Sequence, residues 1–248
     1  MFKTYYLLPL VVMMGTLSCK TSYRTGSLQY KDYQVSATQP KDSLLQAILK
    51  PYSDSVNKSM NDVVGVADQS IDKKPMGGPL GYFMVDAFLA MAAEKYHTPI
   101  DLAVMNTGGI RLTQLPSGNV TRGKIFELMP FDNMVVVQKM TGAVLQQFLD
   151  LTAEREGWPL ANVTMEIKDK KAINIKIGGK PLDPGKTYTV ANSDFIANGG
   201  DNADMLRTLP QQSMGYLMRD ALIDYIQYLK KQGKNISPSN ENRISNVQ

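Results

Sequence analysis

The sequence predicts a mixed α/β domain, and three observations carry that prediction. Apolar residues recur at helical spacing in some segments, and they alternate or run continuously in shorter ones. The two kinds of segment are interleaved without strict alternation, which favours a mixed arrangement over a doubly wound parallel sheet. The chain has 248 residues, 43% of them hydrophobic, which suits one globular domain of ordinary to large size.

The individual elements follow from these patterns. Helical spacing marks four segments: 41–60, 80–96, 141–155 and 213–233. We expect a bend at Pro51 in the first helix, and we expect Gly233 to follow the C-terminus of the last one. Short apolar or alternating runs predict strands: 62–68, 101–106, 133–140, 163–168, 173–182 and 186–195. The Gly178–Gly179 pair predicts a hairpin turn within the fifth strand segment.

The first 19 residues have the pattern of an export signal. Lys3 precedes an apolar run from Tyr5 to Met14 that is too short to span a bilayer, and small residues lead to Cys19. Cys19 is the sole cysteine, so no disulfide can form within the chain. Its position resembles that of the acylated cysteine in bacterial lipoprotein signals. The alternative is an ordinary signal peptide in which Cys19 is incidental.

The chain is therefore predicted to contain a lipoprotein signal peptide, a polar tether and a folded domain, over residues 1–19, 20–40 and 41–248. We expect the protein to be exported and held by a lipid anchor in the bacterial cell envelope, in the periplasm or at the outer membrane. Its net charge of +4 is mild, and the basic residues are scattered among acidic ones. A nucleic-acid-binding domain usually carries a basic stripe, so we expect no nucleic-acid partner.

Three segments place polar side chains at the ends of predicted strands: "NTGGIR" (106–111), "MPFDNMVV" (129–136) and "NSDFIANGGDN" (192–202). Strand ends with glycine-rich turns are where α/β folds tend to bind ligands. Phe131 and Phe195 lie beside polar residues and outside alternating apolar runs, so the two rings could sandwich a flat heterocycle. Taken singly, a phenylalanine after a proline is more often a core residue, and a Gly-Gly pair usually serves a turn.

The polar side chains of these segments would complete a nucleotide site. Asp201 could accept hydrogen bonds from ribose hydroxyls, and Arg111 has a planar fork suited to phosphate. Asn106 and Asn133 could contact a base edge or brace their own loops. The glycines before Asp201 let the backbone turn tightly. The predicted substrate-binding residues are Asn106, Arg111, Phe131, Asn133, Phe195, Asn198, Gly199, Gly200 and Asp201.

These motifs, in this order and spacing, resemble the C-terminal domain of the 5′-nucleotidase and UDP-sugar hydrolase family. The likeness runs from about residue 40 to the end and includes "GNVTRGKIFELMPFDN". The resemblance implies a four-layered α/β/β/α fold that binds a nucleotide, with the base between Phe131 and Phe195. It also implies ribose binding by Asp201, and it matches Asn106 and Arg111 to the family's "GGIR" segment.

The chain departs from the family pattern in two places. The family usually has an arginine just before its long helix, whereas "KKPMGGPLGYFM" has none, and Tyr82 replaces the usual asparagine. Lys73 or Lys74 could supply a point charge there, but an ammonium group lacks the planar, bidentate geometry of a guanidinium. After "GGD" the family continues with a glycine and an aromatic residue, where this chain has Asn202 and Ala203.

The resemblance further implies that hydrolysis belongs to a separate N-terminal metallophosphatase domain with two divalent ions. The one histidine, His97, cannot assemble such a site, and a surface-loop role is favoured for it. We expect no catalytic residue, metal or other cofactor in this chain and no hydrolysis by it alone. Divalent metal ions are expected only in a partner metallophosphatase.

Two functional hypotheses follow. In the first, the protein is the nucleotide-binding half of a 5′-nucleotidase-type phosphohydrolase, and it works with a separate metallophosphatase chain in trans. In the second, it is a non-catalytic lipoprotein that binds a nucleotide or nucleoside. A third interpretation, a degenerate domain kept for docking, conflicts with the retained residues of the three motifs.

Overall fold

The computed structural model describes residues 23–34, 36, 40–239 and 241–247. The predicted signal peptide, with Cys19, lies outside the described residues. The chain divides into two units, residues 1–47 and 48–248. In the first unit, the described residues before Ser43 form no helix or strand. Across the described part of the chain, no helix is both long enough and apolar enough to cross a membrane.

The helices and strands confirm the mixed α/β class. The α-helices are α1 Ser43–Met60, α2 Gly78–Tyr96, α3 Arg122–Leu128, α4 Gly142–Glu154, α5 Asp194–Ala197 and α6 Met218–Lys231. The strands are β1 Val63–Ala67, β2 Ile71–Asp72, β3 Leu102–Val104, β4 Gln114–Leu115, β5 Gly118–Thr121, β6 Met134–Thr141, β7 Leu160–Ala161, β8 Val163–Lys168, β9 Lys171–Ile177, β10 Lys180–Pro181, β11 Thr187–Ser193, β12 Gln211–Leu217 and β13 Ile244–Asn246. Short 3₁₀ turns occupy Thr107–Gly109, Gly200–Asn202 and Asp204–Leu206.

Two larger sheets organise the second unit. The five-stranded sheet has the order β12-β6-β11-β3-β7, in which β11 is parallel to β3 and antiparallel to β6. The four-stranded sheet has the order β10-β9-β8-β13, with β8 and β13 parallel. Two-stranded ribbons join β1 to β5 and β2 to β4. The three motif segments adjoin strands of the five-stranded sheet, namely β3, β6 and β11.

In the centre of the five-stranded sheet both faces are buried: all three residues of β3 are buried, and so are residues 190–193 of β11. Successive side chains on these strands point to opposite faces. Ala103 and Ala191 contribute to the core that includes α2 and α6. Leu102 and Val190 contribute to the core that includes α4 and the inner face of the four-stranded sheet.

Helix α1 forms where its apolar spacing predicts, and it runs through Pro51 without a break. None of its residues is buried. Within the second unit, four of its apolar side chains are at least half exposed, Ile48, Leu49, Tyr52 and Val56, and Met60 at its end is partly buried.

The helix predicted to begin at Ser213 begins instead at Met218, and this part of the prediction was wrong. Residues 211–217 form β12, which pairs with β6 at the edge of the sheet. Gln211 to Gly215 are all exposed, so no alternation marks this strand in the sequence. The two glycine predictions are confirmed. Gly233 has a φ of 68° after α6, and Gly178 and Gly179 have φ values of 56° and 76° in the β9–β10 hairpin.

Candidate functional site

The three motif segments meet at one edge of the five-stranded sheet. Asn106 follows the end of β3, Phe131 precedes the start of β6, and Phe195 follows the end of β11. Since β3 is parallel to β11 and β6 is antiparallel to it, the two strand ends and the strand start lie on the same side. The spatial neighbourhood of the segments therefore follows from strand order.

A cavity of about 240 Å³ opens at this edge. It is lined by Asn106, Gly108, Gly109, Phe131, Asn133, Phe195 and Asp201. A second cavity of about 480 Å³ shares two of these residues and is lined by Asn133, Asp194, Phe195, Asn198, Gly199, Gly200 and Arg207. Every predicted binding residue except Arg111 lines one of the two cavities.

The two phenylalanines of the motifs are not core residues. Phe131 is 39% exposed and Phe195 is 44% exposed, whereas the core phenylalanines Phe88 and Phe148 are 2% and 0% exposed. An apolar ring held open to solvent at the mouth of a cavity can take a second planar group against its free face.

The carboxylate of Asp201 is held across the cavity by another motif. Asn106 Nδ2 donates a hydrogen bond to Asp201 Oδ2 at 2.7 Å, and Arg155 donates to the Asp201 backbone carbonyl at 3.2 Å. Asp201 has a φ of 53°, in the left-handed region, and Gly199, two residues before it, has a φ of 88°. Asn106 thus braces a residue of another segment, whereas the sequence suggested that it would contact a base edge or brace its own loop.

Arg111 lies beside the first ring and next to a lysine. Its guanidinium carbon is 5.7 Å from the centroid of the Phe131 ring. Lys73 Nζ donates to the backbone carbonyl of Ile110 at 2.8 Å. Burial, and then the charge of Arg111, lower the pKa of Lys73. Lys74 is turned elsewhere, with its Nζ 4.0 Å from a carboxylate oxygen of Asp72. Of the two candidate lysines, Lys73 is the one beside Arg111.

Two of the side chains that depart from the family pattern, Tyr82 and Ala203, are buried, and a third, Asn202, is exposed. Tyr82 is 4% exposed, and its hydroxyl donates to the Met76 carbonyl at 2.7 Å. Its ring lies 4.8 Å from the guanidinium carbon of Arg243. Ala203 is buried in the core shared with α4. Tyr82 and Ala203 therefore contribute to packing, and neither lines the two cavities of the site.

Sequence reasoning missed Asp194 and Arg207, which line the larger cavity. Arg207 forms an ion pair with Asp204 at 3.1 Å, and both lie in the loop after "GGD". Nothing in the local sequence distinguishes Arg207 from an ordinary surface arginine. Asp194 belongs to the third motif segment, and its Oδ1 accepts the backbone N–H of Met134, which lies 60 positions away. A contact between residues so far apart in sequence could be found only in three dimensions.

Among the described residues, no group of three or more His, Cys, Asp and Glu side chains could hold a metal ion. His97 lies at the C-terminus of α2, exposed and with a φ of 49°.

Sequence comparison identifies relatives of known class. The family model described as the 5′-nucleotidase C-terminal domain matches residues 63–208. Protein UshA of Escherichia coli K12 is 36% identical over 145 residues, which cover 56% of this chain and 26% of UshA. A 5′-nucleotidase of Vibrio cholerae is 24% identical over 193 residues, which cover 75% of this chain and 34% of that protein.

Structural comparison finds the same fold in larger proteins. The crystal structure of a 5′-nucleotidase precursor from Thermus thermophilus superposes with a TM-score of 0.71 and 23% sequence identity. The superposition covers 84% of this chain and 44% of that structure. The chain thus spans between 26% and 44% of the length of these three similar proteins.

Proposed function

The chain belongs to the 5′-nucleotidase C-terminal domain family, and from that premise we propose that it is the nucleotide-binding half of a 5′-nucleotidase-type phosphohydrolase. One observation carries the proposal. Two exposed phenylalanines, an aspartate and the asparagine that braces it come from three separate segments and line one cavity at the edge of the sheet.

In this proposal the base lies between the Phe131 and Phe195 rings. Stacking on aromatic side chains contributes about 1–3 kcal/mol per base and tolerates different bases. The cavity that both rings line has a volume of about 240 Å³, and Asn133 also contributes to its lining. The side-chain amide of Asn133 is suited to a hydrogen bond with the edge of a base.

The ribose would lie against Asp201 in this cavity, and the phosphate would extend beyond it towards Arg111 and Lys73. Asn106 occupies one oxygen of the Asp201 carboxylate, which orients the other oxygen for the ribose hydroxyls. The adjacent cations Arg111 and Lys73 are suited to a phosphate, because an anion between them would offset their mutual repulsion. Lys73 would thereby replace in charge, though not in geometry, the arginine that the family usually places before α2.

The hydrolytic chemistry would come from a metallophosphatase domain that lies outside these 248 residues and acts in trans. Its divalent ions would activate water and neutralise the leaving phosphate. The single histidine of this chain ends α2, and the part of the chain that the structure describes holds no metal-ligand cluster. A lipid on Cys19 would hold the pair at a membrane of the bacterial cell envelope.

Calorimetry of the full chain with AMP, adenosine and UDP-glucose tests the binding half of this proposal. We expect binding of all three, followed by no phosphate release when Mn²⁺ is added to the same sample. Absence of binding would contradict the nucleotide site, and phosphate release by the pure chain would contradict the division of labour. Cross-linking in cells, followed by identification of the partners, then tests the in-trans arrangement. If no metallophosphatase is captured, the non-catalytic binding lipoprotein becomes the better account.

A further inference from the structure

Asp194 joins the two aromatic segments through one carboxylate oxygen. Its Oδ1 accepts hydrogen bonds from the backbone N–H of Phe195 at 2.9 Å and from that of Met134 at 3.0 Å. Met134 begins β6, three residues after Phe131. The last pair of the β6–β11 ladder is Ser193 with Val135, so Asp194 accepts the next amide of β6 just beyond the ladder. The backbones that carry the two rings therefore meet at this carboxylate.

Arg219 holds the other side of the loop that carries Phe131. It lies in the first turn of α6 and is 7% exposed. Its guanidinium donates to the backbone carbonyls of Phe131 at 3.2 Å and Met129 at 3.4 Å, and to Asp132 Oδ1 at 2.7 Å. The guanidinium carbon also lies 4.0 Å from the centroid of the Phe126 ring. These contacts fix the loop against α6 at several points.

We propose that Asp194 and Arg219 are positioning residues that set the separation of the Phe131 and Phe195 rings before a ligand arrives. This inference rests on the proposed function, since the separation matters because a base must fit between the rings. A planar ligand gains stacking on both faces only if the gap matches its thickness. A site whose support is built from hydrogen bonds to the backbone loses little conformational entropy on binding.

Two substitutions of Asp194 separate its hydrogen bonds from its charge. Asp194→Ala removes the acceptor, and we expect adenosine affinity, measured by calorimetry on the full chain, to fall about five-fold or more. Asp194→Asn keeps an oxygen that can accept the same two N–H groups, so we expect an affinity within about two-fold of wild type. An equal loss in both variants would overturn the proposal, and so would wild-type affinity in Asp194→Ala.

Asp101 offers a matched control that contacts the same strand. Its Oδ2 accepts the backbone N–H of Thr189 at 2.8 Å, near the opposite end of β11 from Phe195. Asp101→Ala removes the same kind of hydrogen bond away from the rings. We expect adenosine affinity to stay within about two-fold of wild type. A loss as large as that of Asp194→Ala would mean that the affinity reports general destabilisation, and the proposal would fail.

A measurement without nucleotide keeps this inference separate from the proposed function. The chain has 7 phenylalanines, and labelling them with 4-fluorophenylalanine gives fluorine resonances that Phe131→Leu and Phe195→Leu assign. Asp194→Ala should shift both ring resonances, and Asp194→Asn should shift neither. Arg219→Lys keeps the charge but loses the planar guanidinium, so it should shift the resonances of Phe131 and of Phe126, whose ring the guanidinium contacts, but not that of Phe195. If wild type does not bind adenosine, the nucleotide proposal fails. Unchanged resonances in Asp194→Ala overturn the positioning role whether or not adenosine binds.

Discussion

Phe195→Ala should weaken the binding of adenosine by removing one of two stacking surfaces. The ring of Phe195 packs against Gly200 on one side, while the residue remains 44% exposed towards the cavity. Stacking of a base on one such ring contributes about 1–3 kcal/mol, and about 1.4 kcal/mol corresponds to a ten-fold change in affinity. The expected loss is therefore between about five-fold and about 140-fold. Phe131→Ala should fall in the same range, because Phe131 is similarly exposed at 39%.

Calorimetry with adenosine is the suitable assay, since the nucleoside tests stacking without any contribution from phosphate. Phe195→Leu keeps an apolar side chain of comparable size but no planar face, so we expect it to lose nearly as much affinity as Phe195→Ala. Tyr228→Ala is the matched control, because Tyr228 is 47% exposed and stacks on Tyr225 away from the cavity. The two-ring site would be refuted if both phenylalanine variants bound adenosine as tightly as Tyr228→Ala.

Three further predictions concern the polar parts of the structure. Asp201→Asn should weaken adenosine more than its 2′,3′-dideoxy analogue, because only the first offers hydroxyls to the carboxylate; equal losses in calorimetry would remove the ribose role. The pKa of Lys73 is lowered by burial and by Arg111, so AMP affinity should decrease as pH rises through that pKa, whereas adenosine affinity should not. Lys73→Gln should abolish this difference in pH dependence between AMP and adenosine. If the difference persists in the variant, Lys73 does not bind the phosphate. Arg243→Ala should lower the free energy of unfolding in urea by about 3–5 kcal/mol. The substitution leaves the carboxylate of Asp86 without its two hydrogen bonds of 2.7 and 2.8 Å. A decrease no larger than that caused by replacing an exposed lysine with alanine would contradict this prediction.

The sequence was most informative where the pattern of apolar residues along a segment determines its local structure. Alternating and continuous apolar runs located β3, β6 and β11, and the neighbourhood of their ends follows once the strand order is known. The phenylalanines stood out because they lie outside those runs. β12 could not be found in this way, because five of its seven residues are exposed and its place depends on pairing with β6.

The supporting residues of the site could not be predicted, because their partners are distant in sequence. Arg219 contacts carbonyls 88 and 90 positions away, and Asp194 contacts an amide 60 positions away. Lys73 and Lys74 are identical in type and adjacent in sequence, yet one donates to Ile110 and the other faces Asp72. Which of two adjacent lysines faces the site depends on the path of the backbone, and composition and spacing do not reveal that path.

Gly200 illustrates how the site constrains the sequence beyond the requirements of a turn. A Cβ atom at this position would lie 2.5 Å from Cε1 of Phe195 and 2.6 Å from the Phe195 backbone oxygen. Both distances are below 3.0 Å, which non-bonded contacts of a Cβ atom essentially never show, so a side chain would displace the ring, the backbone or both. The preceding Gly199 has a φ of 88°, which is the ordinary reason for a glycine in a turn. Glycine is therefore required at the two positions for different structural reasons. The first allows the chain to turn, and the second allows an aromatic ring to lie against the backbone while the residue stays open to the cavity.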